Sequence, residues 1–137
     1  PPQRVEPNVT CRLLSGHTPV EIEAELARLI ANPAMSIDLA RRNKPLAKSP
    51  PLDPAIIGPM EQVSAKYFPG VPVIPAMSTG ATDGLYLAAV GIPTYGVPGS
   101  WGDPDGNGVH GLNERIETRS LFVGRDYLYE LVKVLAK

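Results

Sequence analysis

A histidine lies between glycines and beside a carboxylate in the run Gly106-Asn107-Gly108-Val109-His110-Gly111-Leu112-Asn113-Glu114-Arg115-Ile116. Neutral imidazole is the commonest metal ligand and a common general base. Gly108 and Gly111 allow the backbone to approach a ligand closely, and Asn113 and Glu114 are placed to orient the ring or share its site. A solvated surface histidine is the plainer reading, and residue types alone leave both open. Zinc needs three or four ligands. The other histidine is His17, in a turn of a different segment, and Cys11 is the single cysteine. The chain cannot easily complete a zinc site by itself.

Other constellations compete for the same loop. Asp103, Asp105, Asn107, Gly108 and Glu114 satisfy the calcium-loop pattern D-x-[DN]-x-[DN]-G-x5-E. An EF-hand, however, needs a helix on each side, and Gly96 to Gly102 cannot form one. A turn rich in Asp, Asn and Gly is the bland alternative. Ala76-Met77-Ser78-Thr79-Gly80 is a near miss to the nucleophile elbow, with alanine for the first glycine, and Asp103 or Asp105 and then His110 follow in order. That makes a serine hydrolase using Ser78 a rival, against which Ser78 and Thr79 are simply helix caps. Arg12 is either an exposed arginine or a fork for a carboxylate. Cys11 alternates with Val9 and Leu13 and reads as core. Asp83 suits the first turn of a helix. Trp101 reads equally as a lid, a specificity contact or a packed anchor.

These residues need elements to hold them. The chain has 137 residues, 43% hydrophobic and 20% charged, with a net charge of −1. That suffices for one domain with a modest core. The near-neutral charge gives no reason to propose nucleic acid or an anionic membrane as partner. No run approaches the ~20 apolar residues that span a bilayer. With one cysteine no internal disulfide can form. The start at Pro1-Pro2-Gln3 and the immediate entry into a strand suggest a fragment of a longer protein.

Val9 to Leu14 alternates as a strand. Thr18-Pro19-Val20-Glu21 is a capping box opening a helix with Ile22, Leu26, Leu29 and Ile30 on its stripe, stopped by Asn32-Pro33. Met35, Ile37 and Leu39 alternate again. Residues 42 to 52 are basic and proline-rich and mark a boundary between domains at 1–45 and 46–137. Asp53-Pro54 starts a helix with Ile56, Met60, Val63 and Tyr67 on one stripe, ended by Pro69-Gly70. Val71 to Met77 and Ile92 to Val97 are apolar strands. Between them Thr79 or Thr82 caps a helix running to Val90, with Gly91 as its C-terminal cap. A last helix starts near Thr118 and turns Leu121, Leu128, Leu131, Val132 and Leu135 inward. Apolar strands with little alternation predict an α/β layer architecture with a sheet covered on both faces.

Three runs in order resemble the zinc aminoacylase and carboxypeptidase family, which includes glutamate carboxypeptidase, aminoacylase and succinyl-diaminopimelate desuccinylase. They are Asn8 to Thr18, Ser78-Thr79-Gly80-Ala81-Thr82-Asp83-Gly84, and His110-Gly111-Leu112-Asn113-Glu114-Arg115-Ile116. Gly91-Ile92-Pro93-Thr94-Tyr95-Gly96 is similar too. The resemblance covers nearly the whole chain. It implies a partial catalytic α/β sandwich (phosphorylase/hydrolase-like) over 46–137, and over 1–45 half of a ferredoxin-like lid through which the parent forms a homodimer. It also implies hydrolysis of an amide bond in N-acyl amino acids or short peptides, with two zinc ions in the complete enzyme. The general base and most ligands would come from a missing N-terminal part, so the fragment alone would be inactive. On this chain the resemblance makes His110 a zinc ligand, with Glu114 and Asn113 in support. It makes Arg12 a contact for a substrate carboxylate and Gly80, Ala81, Thr82 and Asp83 a substrate-side loop. Two positions depart from the family pattern. Gly80-Ala81 replaces a glycine pair, and Leu85 or Tyr86 stands where an arginine is common, which removes a second carboxylate clamp. A non-catalytic dimerisation or binding module is the remaining alternative. The compartment, cytoplasmic or periplasmic and secreted, stays open.

Overall fold

The computed structural model describes residues 3–40, 45–46, 48–78 and 80–137. Four helices form among them: α1 (Pro19–Ile30), α2 (Pro54–Tyr67), α3 (Gly84–Ala89) and α4 (Thr118–Leu135). The chain divides into two compact units. One comprises 1–49 with 77–93 and holds α1 and α3; the other comprises 50–76 with 94–137 and holds α2 and α4. Most of linker 42–52 is described, but residues 42–44 and 47 are not, and neither is Thr79.

The helix boundaries follow their caps. The Thr18 hydroxyl accepts from the Glu21 amide at 3.3 Å, and the Glu21 carboxylate accepts from the Thr18 amide at 2.8 Å. These two bonds satisfy donors that helix geometry leaves free, and they hold the Glu21 carboxyl below its usual range, the amide of Thr18 being the main cause. α1 ends at Ala31, which takes the left-handed conformation with φ 48°. Asp53 caps α2 by accepting from the Ala55 amide at 2.9 Å, with Pro54 at the first position. Within α2, Pro59 has no N–H for the ladder; Gly58 before it has no Cβ to crowd the proline ring.

The core belongs to the second unit and lies between α2 and α4. Met60, Val63, Tyr127 and Leu131 are buried, and Ile56, Ile57, Tyr67, Phe68, Tyr95, Val97 and Val134 pack around them. The Tyr127 ring meets Tyr67 edge-on at 5.9 Å and Phe68 at 5.4 Å, geometries favoured by the ring quadrupoles. Its hydroxyl shares a hydrogen bond of 3.1 Å with buried Ser64, so neither polar group is stranded. At the rim Lys66 and Tyr67 both donate to the Glu130 carboxylate.

The predicted α/β sandwich and half ferredoxin-like lid do not form: among the described residues there is no strand and no sheet. None of the expected strands at 9–14, 35–39, 71–77 and 92–97 forms among the described residues. A strand exists only through a ladder to a neighbour, and Pro72, Pro75 and Pro93 remove donors from two of these segments. Several of their apolar residues face water: Val9, Val71, Ile74 and Ile92 are exposed, Ile74 by 72%, whereas Tyr95 and Val97 pack against the core between α2 and α4. Cys11, expected in a core, is exposed with them.

Two helical stripes also differ from expectation. No residue of α1 is buried, so Leu29 and Ile30 of its predicted stripe lie exposed. In α4 the buried residues are Ser120, Gly124, Tyr127 and Leu131. Of the five predicted inward, only Leu131 is among them; Leu121 and Val132 are 53% and 62% exposed. No described helix is long and apolar enough to cross a membrane.

Candidate functional site

The second unit seats a long loop on α4. Its first contact is backbone on backbone. A Cβ added at Gly124 would lie 2.7 Å from the Gly99 carbonyl oxygen, and one added at Gly99 would lie 2.7 Å from Tyr127 Cδ1. Gly99 has φ +64°, a conformation that glycine adopts without penalty. Two glycines therefore let residues 99–101 lie directly on the helix. The buried Ser120 hydroxyl then accepts from the Trp101 amide at 3.0 Å and donates to the Trp101 carbonyl at 2.8 Å. The indole N–H of Trp101 donates to Glu117 at 2.9 Å, and its ring meets Phe68 edge-on at 6.1 Å. Of the three readings of Trp101, these contacts describe the packed anchor.

Beyond Trp101 the loop closes on itself. The Asp103 carboxylate accepts from the Asp105 amide at 2.9 Å with one oxygen and from Arg115 Nε at 3.1 Å with the other. These donors, the Asp105 amide first, hold the Asp103 carboxyl below its ordinary range. Asn107 bridges the two ends of the loop. Its side-chain oxygen accepts from the Asp103 amide at 2.6 Å, and its carbonyl accepts from the Arg115 amide at 2.9 Å. The Gly111 amide donates to the Gly108 carbonyl at 2.8 Å. The residues that matched a calcium loop thus form a turn, and a guanidinium sits on the carboxylate that would have been the first ligand. No helix adjoins them on the N-terminal side, residues 90–102 lying outside any helix.

His110 is held exposed in this closed loop, with φ 65°. The left-handed region costs a non-glycine residue about 1 kcal/mol or more, and such conformations persist where surrounding bonds over-determine them. Asn113 and Glu114 share the loop. Among the described residues no hydrogen bond or ion pair joins either side chain to the imidazole; Asn113 instead packs its carbonyl against Gly108.

The other predicted residues lie in the first unit. Arg12 is exposed on segment 9–14. Gly80, Ala81, Thr82 and Asp83 form an exposed turn into α3. Ser78 Oγ accepts from the Gly80 amide at 3.1 Å, and Thr82 Oγ1 accepts from the Gly84 amide at 3.2 Å. Asp83 holds the N-cap position without a side-chain capping bond. The Ser78 hydroxyl is thus a turn-former, and the strand a nucleophile elbow requires before it is absent from the described residues.

Sequence reasoning missed Ser120, Glu117 and the Asp103–Arg115 pair. A signal existed for the pair: two opposite charges flank a glycine-rich run. None marked Ser120, which reads as one more polar residue of a helix's first turn.

The model of Peptidase family M20/M25/M40 matches residues 3–134, and the chain belongs to that family. It is therefore of the peptidase class of hydrolases, whose members in this family are generally metal-dependent. The resemblance to zinc aminoacylases and carboxypeptidases is consistent with this membership. No curated protein and no solved structure matches the chain.

The His110 imidazole of this loop is a metal-ligating group that faces solvent. No group of three or more His, Cys, Asp or Glu able to hold an ion exists among the described residues. What the loop does offer is an exposed imidazole on a backbone closed by hydrogen bonds on either side of it.

Proposed function

We propose that the chain is the C-terminal part of a zinc-dependent hydrolase that cleaves the amide bond of N-acyl amino acids or short peptides. Membership of the peptidase family over 3–134 supports the reaction class. The observation that carries the site is His110, exposed and left-handed in a loop pinned at both ends. His110 would hold one of two zinc ions, with its other ligands and the general base supplied by a preceding segment of the parent. Bound zinc would polarise the scissile carbonyl and acidify a water.

The chain's own residues would bind and orient. Arg12, whose guanidinium offers a planar fork of donors, would grip the substrate's carboxylate. The amides and hydroxyls of Gly80, Ala81, Thr82 and Asp83 would line the substrate's path. Glu114 and Asn113 would orient the imidazole once it is loaded. Leu85 and Tyr86, in place of an arginine, favour a substrate without a second acidic group. Residues 1–45 would pair two copies of the parent. The 137-residue chain alone would not hydrolyse amides.

The test is His110→Ala in the full-length parent. The expected result is loss of amide hydrolysis together with a lower zinc content per protomer. Unchanged zinc stoichiometry and rate would overturn the proposal.

A further inference from the structure

We infer that Asp103 and Arg115 are positioning residues for His110; the functional half of this inference rests on the proposal that His110 binds zinc. The pair closes the base of the loop that carries the imidazole. Arg115 is tied twice, by its guanidinium to Asp103 at 3.1 Å and by its amide to the Asn107 carbonyl at 2.9 Å. Asp103 is tied four times, through both carboxylate oxygens, through its own amide to Asn107, and through its carbonyl, which accepts from the Gly106 amide at 2.8 Å. The Gly111–Gly108 bond tightens the turn within the loop, and the bonds that join its two ends converge on three residues, Asp103, Asn107 and Arg115. Between them lies the strained backbone of His110.

Magnitude separates positioning from stabilisation here. The Arg115 and Asp103 side chains are 54% and 33% exposed. An ion pair so open to water adds little to global stability. The same pair acts locally on a loop whose left-handed histidine relaxes once its flanks are free. A ligand held in one geometry before the ion arrives binds without first being ordered.

Nuclear magnetic resonance on the 137-residue chain tests this. The readouts are the His110 amide–Hα coupling, which reports the left-handed φ, and amide exchange at Gly111. In Arg115→Met, Gly111 exchange is expected to rise about tenfold and the His110 coupling to move toward that of ordinary residues, while α4 amides keep their protection. Arg115→Lys, which restores a cation in reach of Asp103, is expected to hold both near wild type. Asp103→Asn is expected to loosen the loop as Arg115→Met does. Unchanged His110 coupling and Gly111 exchange in Arg115→Met would overturn the inference. So would a uniform rise across α4, which would make the pair a plain structural contact. Titration of the metal-stripped full-length parent with Zn2+, followed at the His110 ring, reads the other half, because the parent would supply the remaining ligands. A ring that ignores zinc while the loop still loosens in Arg115→Met sinks the zinc proposal and leaves the clamp. A ring that responds to zinc while the loop does not loosen sinks the clamp and leaves the ligand.

Discussion

Replacing Gly124 with alanine tests whether the His110 loop is seated on α4. In an open helix the change is favourable: alanine is better than glycine by about 1 kcal/mol. Here the new Cβ would stand 2.7 Å from the Gly99 carbonyl oxygen, 3.2 Å from the Gly99 carbonyl carbon and 3.3 Å from Ser100 Cβ. The obstacle is backbone, not a side chain that can swing away. Gly99 would have to withdraw by about 0.7 Å, from 2.7 to the 3.4 Å where ordinary contact begins. Overpacking of this kind costs about 1–3 kcal/mol. Withdrawal would also stretch the two bonds between Ser120 and Trp101, each worth about 1 kcal/mol net. The clash outweighs the helix propensity, and the expected net loss is about 2 kcal/mol. Urea denaturation followed by Trp101 fluorescence measures it, since the chain's single tryptophan lies at the contact. The midpoint should fall by about 1 M. Gly96→Ala is the control, because a Cβ there meets nothing within 4 Å; it should stay within about 0.5 kcal/mol of wild type. A Gly124→Ala protein as stable as wild type, or more so, would refute the seating of the loop.

Two further outcomes follow from the second unit. Ser120→Ala leaves both the Trp101 amide and carbonyl without their buried partner and should destabilise by about 1–3 kcal/mol in the same fluorescence assay; Ser120→Thr keeps the hydroxyl and separates its loss from a change in packing. The Glu130 carboxyl is held below its ordinary value of 4.5, chiefly by the Lys66 ammonium and then by the Tyr67 hydroxyl. Its folded pKa is depressed, so its stabilisation is complete above 4.5 and is lost as pH falls through the lowered folded value. The stability advantage of wild type over Glu130→Gln should therefore shrink on acidification, and a difference that stays constant between about pH 7 and pH 3 would show that Glu130 is not so coupled.

Much of the local structure was legible from residue types. The Thr18–Glu21 capping box and the Asp53-Pro54 start of α2 stand where capping chemistry puts them, and α4 starts at Thr118 as expected but without a side-chain capping bond. The ends agree too: Gly70 and Gly91 take positive φ just past α2 and α3. In α2 the predicted stripe holds, with Met60 and Val63 buried and Ile56 and Tyr67 packed beside them. Family membership was legible too, because it rests on short ordered runs that need no tertiary information. The candidate site was legible only as a loop with a histidine in it. The bonds that shape that loop run between residues whose types looked like solvated turn.

The sequence by itself determined where α1 and α2 begin and end, because caps and breakers act over four or five residues and carry their partners with them. Only the tertiary structure decided which faces those helices bury. Hydrophobicity favoured the leucines of α4, yet the buried stripe runs through Ser120 and Gly124. A loop backbone lies on that side, and only small residues admit it, one supplying the hydroxyl that Trp101 needs. The same reason governs the missing sheet. Alternation and apolar runs show that a segment could be a strand, but a strand is made by its neighbour's donors and acceptors. Segments 9–14, 35–39, 71–77 and 92–97 form no such ladder among the described residues.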